Sequence, residues 1–129
     1  MVRKVFIAAC FITLCFFVKA QPAFDFKSKT LHLGFVHQGD TLHFQFEFTN
    51  TGTEPLVISD TKVECGCTIV EKPSEPTQPG KQGIIKVAFV TNTAMDRQDR
   101  TVTVISNVPG PPAVLRFKCI VLKPKKSKE

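Results

Sequence analysis

The residues of this chain whose chemistry could support a function are three cysteines, Cys65, Cys67 and Cys119. Cys65 and Cys67 are separated only by Gly66. Two thiols at this spacing could form a disulfide, exchange disulfides with another protein or supply part of a metal site. Three is an odd number, so one thiol would be left over from any single disulfide.

A disulfide or a buried, structural role is the first use that we expect for these thiols. If Val63–Ile69 is one regular strand, Cys65 and Cys67 share its apolar face, and the same alternation points Cys119 inward from the last strand. A bridge from Cys119 to either of them would close a loop of roughly fifty residues and contribute about 4 kcal/mol in the chain-entropy model. A direct Cys65–Cys67 bridge would need a turn or bulge at the glycine between them, because residues two apart in a strand are about 6.5 to 7 Å apart. The sequence leaves the pairing open.

Metal binding and thiol redox chemistry are weaker interpretations. Two thiolates one residue apart supply only half of the ligands of a zinc site. The possible additional ligands are His32, His37 and His43, which we expect to be exposed because they fall on a polar strand face or in a turn. A Cys-x-x-Cys pair at a helix start is absent, as are phosphate loops, nucleophile elbows and metalloprotease motifs. We therefore predict no catalytic, cofactor or metal residues and no enzyme. A thiol-redox or metal-binding protein that uses Cys-Gly-Cys remains the alternative.

The elements that must position these cysteines are predicted to be strands. Residues Thr41–Phe48 alternate strictly between apolar and polar side chains, the pattern of a half-buried strand, and turn residues bound them on both sides. The other predicted strands are Leu31–Val36, Leu56–Ser59, Val63–Val70, Ile84–Thr91, Thr101–Ser106 and Val114–Leu122. Proline- and glycine-rich connections separate them and leave no room for a long helix. This pattern predicts an all-β, immunoglobulin-like β-sandwich of about seven strands.

The first twenty residues have the pattern of a signal peptide. Arg3 and Lys4 precede an apolar run that is too short to span a bilayer, and a small-residue site predicts cleavage after Ala20. Cleavage would remove Cys10 and Cys15. A lipid anchor at Cys15 is the competing interpretation, although the residue before a lipidated cysteine is normally small and here it is a leucine.

The predicted organisation of the chain is a signal peptide (1–20), an N-terminal extension (21–30), a sandwich domain (31–123) and a basic C-terminal tail (124–129). After cleavage, 14 basic residues stand against 11 acidic ones, an ordinary excess. The lysines concentrated at the C-terminus predict a solvated tail rather than a nucleic-acid arm. We therefore predict a periplasmic or secreted protein with no nucleic-acid partner and no stable membrane span after cleavage.

Several motifs, in order, carry a resemblance to a known family. They are Gly34–Gly39, Phe46–Gly52, Pro55–Ile58, Cys65–Thr68, Pro79–Lys81 and Ile105–Asn107. In combination they resemble a bacterial family of exported immunoglobulin-like domains of unknown function, number fifteen-seventy-three among such families. Cys119 departs from the family, in which a small residue such as glycine is expected at this position.

The resemblance implies a sandwich akin to ASH, hydin and major sperm protein domains, which serve as protein-binding or cytoskeletal modules. It implies no substrate. The open sheet edges of such a sandwich can accept a partner strand, and its long connections can serve recognition. We therefore predict an exported, non-catalytic interaction or scaffolding module of the cell envelope with an unidentified protein partner.

Overall fold

A computed structural model of the protein describes residues 19–126. Most of the predicted signal peptide and the last three residues of the predicted basic tail lie outside this range. Within it the chain forms eight strands: β1 (Phe24–Phe26), β2 (Thr30–His37), β3 (Thr41–Asn50), β4 (Ile58–Val63), β5 (Thr68–Glu71), β6 (Gln82–Val90), β7 (Asp96–Ser106) and β8 (Ala113–Leu122). Residues 19–126 contain no helix that is long and apolar enough to cross a membrane.

The strands form two four-stranded sheets that face each other. Sheet A has the order β1-β3-β6-β5, and sheet B has the order β2-β8-β7-β4. All neighbours are antiparallel except β2 and β8, which are parallel. The predicted all-β sandwich is therefore confirmed, with eight strands in place of about seven.

The core between the sheets is built by alternate residues of the central strands, as the sequence pattern of β3 predicts. Phe46 and Phe48 of β3 are buried, and so are Phe89 of β6 and Phe117 of β8. The rings of Phe89 and Phe117 meet across the two sheets with centroids 5.2 Å apart and an edge-to-face angle of 61°. Such aromatic pairs contribute about 0.5–1.5 kcal/mol beyond the area that they bury.

Asn50 ends β3 and ties three segments of the chain together. Its side chain is fully buried. The Oδ1 atom accepts hydrogen bonds from the backbone N–H groups of Ala23 and Gly52, at 3.2 and 3.0 Å. The Nδ2 group donates to the backbone oxygens of Glu54 and Thr77, at 2.7 and 2.9 Å. The Asn-Thr-Gly motif is thus a structural anchor, since every hydrogen-bonding position of the amide is used.

The prediction of one continuous strand over Val63–Val70 is wrong. Strand β4 ends at Val63 in sheet B, and β5 starts at Thr68 in sheet A. The four residues between them form the turn that crosses from one sheet to the other. The predicted strand Leu56–Ser59 is likewise displaced, since Leu56 makes only an isolated bridge to Thr77.

Strand β2 contains a bulge that changes which side chains face the core. His32 and Phe35 are three residues apart in β2, but their partners in β8, Lys118 and Ile120, are only two residues apart. Strand β2 therefore holds one extra residue. Gly34 lies there with φ at +73°, a conformation that favours glycine. Uninterrupted alternation would place Phe35 beside Leu33 against the core, but the bulge buries Val36 and turns Phe35 outward.

Two strand segments were not indicated by the sequence. Strand β1 lies in the segment assigned as an extension, and it pairs with the end of β3. The charged residues Asp96–Arg100, which precede the predicted strand Thr101–Ser106, begin β7 and pair with β8. Charges are tolerated in this part of the strand because Arg97 and Asp99 face solvent.

Candidate functional site

The structure joins Cys65 and Cys67 by a disulfide and leaves Cys119 as a free, buried thiol. Of the pairings that the sequence leaves open, the structure therefore has the direct Cys65–Cys67 bridge and not one to Cys119. The turn between the sheets brings the Cα atoms of Cys65 and Cys67 to 5.3 Å, well inside disulfide range. An extended strand would have held them too far apart.

Cys119 is only 3% exposed, as the alternation of β8 predicts. It lies opposite Gln98 of β7. Burial raises the pKa of the Cys119 thiol, and the positive charge of Arg100 opposes this effect only in part. A buried, protonated thiol is a poor nucleophile, so Cys119 packs as a small apolar side chain.

The three histidines do not converge with the cysteines. His43 is exposed on the outer face of sheet A, whereas His32 and His37 lie on β2 of sheet B. Between residues 19 and 126, no three His, Cys, Asp or Glu side chains are grouped closely enough to hold a metal ion. In this part of the chain the cysteines and histidines therefore assemble no metal centre.

The four edge strands differ in how well they are protected. Strands β1 and β5 have three and four residues. Strand β4 has six residues, a register irregularity and two charged residues, Asp60 and Lys62. Strand β2 has eight residues without a charged residue or a proline. Short length, charges and bulges are the usual protection of an edge, so β2, whose bulge is its only protection of this kind, is the most open of the four.

The backbone of β2 presents free hydrogen-bonding groups at this edge. The N–H of Gln38 donates to the carbonyl oxygen of Leu122 at 2.9 Å, so the residue two positions earlier in β2 also points its backbone groups toward β8. In such a ladder alternate residues of an edge strand point their N–H and C=O groups away from the neighbour. Phe35 and His37 are those residues at the C-terminal half of β2. The His37 carbonyl is already occupied by the N–H of Asp40, so Phe35 provides the open pair.

An apolar patch and a shallow groove adjoin this edge on the outer face of sheet B. We call the patch the β2 patch and define it as Phe35, Ile120 and Leu122. Phe35 is 70% exposed, and it lies beside Ile120 in the register of β2 and β8. The groove has a volume of about 380 Å³, and Gly34, which has no atom within 4 Å of where a side chain would begin, forms part of its wall.

Basic side chains surround the groove. Arg97 and Lys118 line it together with His32 and a single carboxylate, Asp99. That carboxylate is shared by two cations: the Nη1 atom of Arg116 lies 2.9 and 3.0 Å from its two oxygens, and the Nζ atom of Lys118 lies 3.9 Å from Oδ2. The positive charges of Arg97 and Lys118 are therefore in excess over the one acidic group of the groove.

Comparison with known proteins yields one family match and several similar structures. The family model described as "Protein of unknown function (DUF1573)" matches residues 24–121. No curated protein sequence matches the chain. A structure of a protein of unknown function from Porphyromonas gingivalis W83 has a TM-score of 0.70 at 19% identity, with 78% of this chain covered. The chain spans 48% of the length of that protein.

Two further solved structures show how widely the sandwich occurs. The ASH/PapD-like domain 7 of human CEP192 has a TM-score of 0.58 at 12% identity, with coverage of 84% of this chain and 89% of that domain. The VesB protease of Vibrio cholerae has a TM-score of 0.57 at 15% identity, with coverage of 78% of this chain and 31% of the protease. At these identities the likeness concerns the fold alone.

Proposed function

The chain belongs to the DUF1573 family, and from that membership together with the open edge of sheet B we propose that it is an exported, non-catalytic protein-interaction module of the cell envelope. Its binding site is the outward edge of β2 with the β2 patch. The PapD-like sandwich shared with CEP192 supports an interaction module. The signal-peptide pattern of residues 1–20 supports export.

The exposed ring of Phe35 carries this proposal. The bulge at Gly34 diverts a large aromatic side chain from the core to the surface. Leaving a phenylalanine in water forgoes about 1.5–3 kcal/mol that its burial would provide. A partner strand at this edge would recover that free energy and would also satisfy the free N–H and C=O groups of Phe35.

The Cys65–Cys67 disulfide has a structural role in this proposal. It closes the turn through which the chain passes from β4 to β5, and it supports the same oxidising destination as the signal peptide. A thiol-redox function would have to use Cys65 and Cys67 alone, because the third cysteine, Cys119, is buried and its pKa is raised, so that its thiol cannot take part in exchange.

A site-specific photo-crosslinker tests the binding proposal in the living cell. The full chain is produced in its native host with benzoylphenylalanine at position 35, and adducts are detected on denaturing gels after irradiation. The matched control carries the same residue at position 69, because Ile69 is also a highly exposed apolar side chain (59%) but lies on sheet A. We expect a discrete protein adduct from position 35 only. Equal adducts from both positions, or none, would overturn the proposal.

Export is tested with the full chain produced in its native host. Intact mass of the chain purified from the periplasm should correspond to a protein that begins at Gln21, with two fewer hydrogens than the fully reduced form because of the disulfide. A cytoplasmic, full-length chain would contradict export, and a lipid-modified Cys15 would favour the anchored alternative.

A further inference from the structure

We propose that the partner segment at the β2 edge is an extended, acidic polypeptide that joins sheet B as a fifth strand. One of its outward apolar side chains packs on the β2 patch, and its outward carboxylates face Lys118 and Lys123, with Arg97 adding positive charge behind them. This inference rests on the proposed function and adds the chemical class of the partner.

The backbone geometry favours a strand over a helix or a folded surface. The edge of β2 presents the outward N–H and C=O of Phe35, the pair at which a β ladder can begin, and an added strand would lie about 4.8 Å from it. Every second side chain of that strand would point to the outer side of sheet B. One of them can reach the ring of Phe35, and a neighbouring one can enter the open groove beside Gly34.

The charge around the edge selects acidic side chains. Arg97 and Lys118 line the groove, and the single carboxylate of Asp99 is shared between Arg116 and Lys118, so positive charge remains in excess. Lys123 is exposed directly after β8, whose end lies next to His37 of β2. A segment with carboxylates on its outward side would find Lys118 and Lys123 one strand beyond β2, with Arg97 of β7 adding to the positive charge, whereas a basic segment would be repelled.

A second copy of this chain fits the edge less well. Pairing β2 with β2 of another molecule about a two-fold axis would bring the basic groove and Lys123 of one copy toward those of the other. Strand β2 itself has no acidic residue to compensate. Like charges placed at such an interface oppose association, so charge complementarity favours a different, acidic chain.

Synthetic peptides provide the probe. We would titrate the mature chain with an acetylated nonapeptide whose outward-facing alternate positions carry glutamate around one central valine and whose remaining positions carry threonine, and compare it with peptides in which threonine or lysine replaces every glutamate. Binding is followed by amide chemical shifts and calorimetry. We expect the glutamate peptide to bind with shifts concentrated on β2, and at least tenfold more tightly than the threonine peptide. Raising NaCl from 50 to 300 mM should weaken it severalfold, since screening shortens the reach of these charges.

Variants of the chain locate the site. Phe35→Ala should weaken the glutamate peptide about tenfold, and the charge reversal Lys118→Glu should do the same, whereas Ile69→Ala should leave its affinity unchanged. N-methylation of the peptide amides that face β2 should abolish binding, and N-methylation of the alternate amides should not. Far-UV circular dichroism of each variant confirms that it is folded.

The outcomes separate this inference from the proposed function. Equal affinity for the glutamate and threonine peptides, or no binding of the glutamate peptide while position 35 still crosslinks in cells, would overturn the acidic partner and leave the interaction module standing. A dimer in sedimentation equilibrium that Phe35→Ala dissociates would also overturn it, because a second copy would then occupy the edge. Loss of the crosslink at position 35 would instead remove the proposed function itself.

Discussion

Replacing Asn50 with alanine is the sharpest test of how this sandwich is held together. The side chain of Asn50 is fully buried and makes four hydrogen bonds, all to backbone groups. Those groups belong to the segment before β1, to the turn after β3 and to the loop before β6. Alanine would remove the four bonds together and leave two N–H groups and two carbonyls without these partners.

The expected loss follows from that count. A typical hydrogen bond contributes about 1 kcal/mol net, and a buried group left without a partner costs about 1–3 kcal/mol. Water can enter part of the space and reduce this cost, so we expect Asn50→Ala to lower the free energy of unfolding by about 3–5 kcal/mol. At about 4 °C per kcal/mol for a domain of this size, the melting temperature should fall by about 12–20 °C.

The assay is urea unfolding of the mature chain followed by circular dichroism, with Asn107→Ala as the matched control. Asn107 also uses its amide to bond two backbone groups, the N–H of Val57 and the carbonyl of Pro55, but it is exposed. We expect the control to lose only about 1 kcal/mol, because water replaces its partners. A loss below 1 kcal/mol for Asn50→Ala at an unchanged denaturant slope would refute the view of Asn50 as an anchor.

Three further predictions concern the core and the cysteines. A methyl group at Gly83 would overlap the ring of Phe48, so Gly83→Ala should destabilise the fold by about 2 kcal/mol or more, as chemical denaturation would show; an unchanged midpoint would contradict this packing. Replacing both Cys65 and Cys67 with serine should cost only about 1–2 kcal/mol because the disulfide closes a very short loop, and a loss of more than 4 kcal/mol in the same assay would be too large for that entropy. Because burial raises the pKa of Cys119, the unfolded chain loses this proton first as pH rises above about 8.5. Unfolding curves at pH 8, 9 and 10 should therefore show that the wild type loses stability with rising pH and that Cys119→Ala loses less; parallel losses would argue against a raised pKa.

The sequence predicted the parts of the fold in which one strand stays in one sheet. Strand β3 was foreseen because Thr41–Phe48 alternates without interruption and one face of it packs on the core. Cys119 was foreseen as buried for the same reason. In both cases local periodicity and tertiary packing agree, so a single sequence contains enough information.

The parts that could not be foreseen depend on contacts made elsewhere. The run Val63, Cys65, Cys67 and Ile69 has the spacing of one strand, but the chain changes sheets within it, and periodicity does not report which sheet a residue joins. Strand β1 is three residues long and is held by its pairing to β3. The candidate site itself arises from the bulge at Gly34, where one extra residue reverses the direction of Phe35. A glycine in a strand pattern is the one signal that could have indicated it.

The position of β8 governs when the domain can fold. Strand β8 lies inside sheet B, between β2 and β7, and its pairing with β2 joins residues about 85 positions apart along the chain. A chain that ends before Ala113 would leave β2 without its neighbour and would uncover the core face of β7. Native topology of high contact order folds slowly, over milliseconds to seconds. The domain therefore acquires its complete second sheet, and with it the β2 edge, only after β8 has been synthesised.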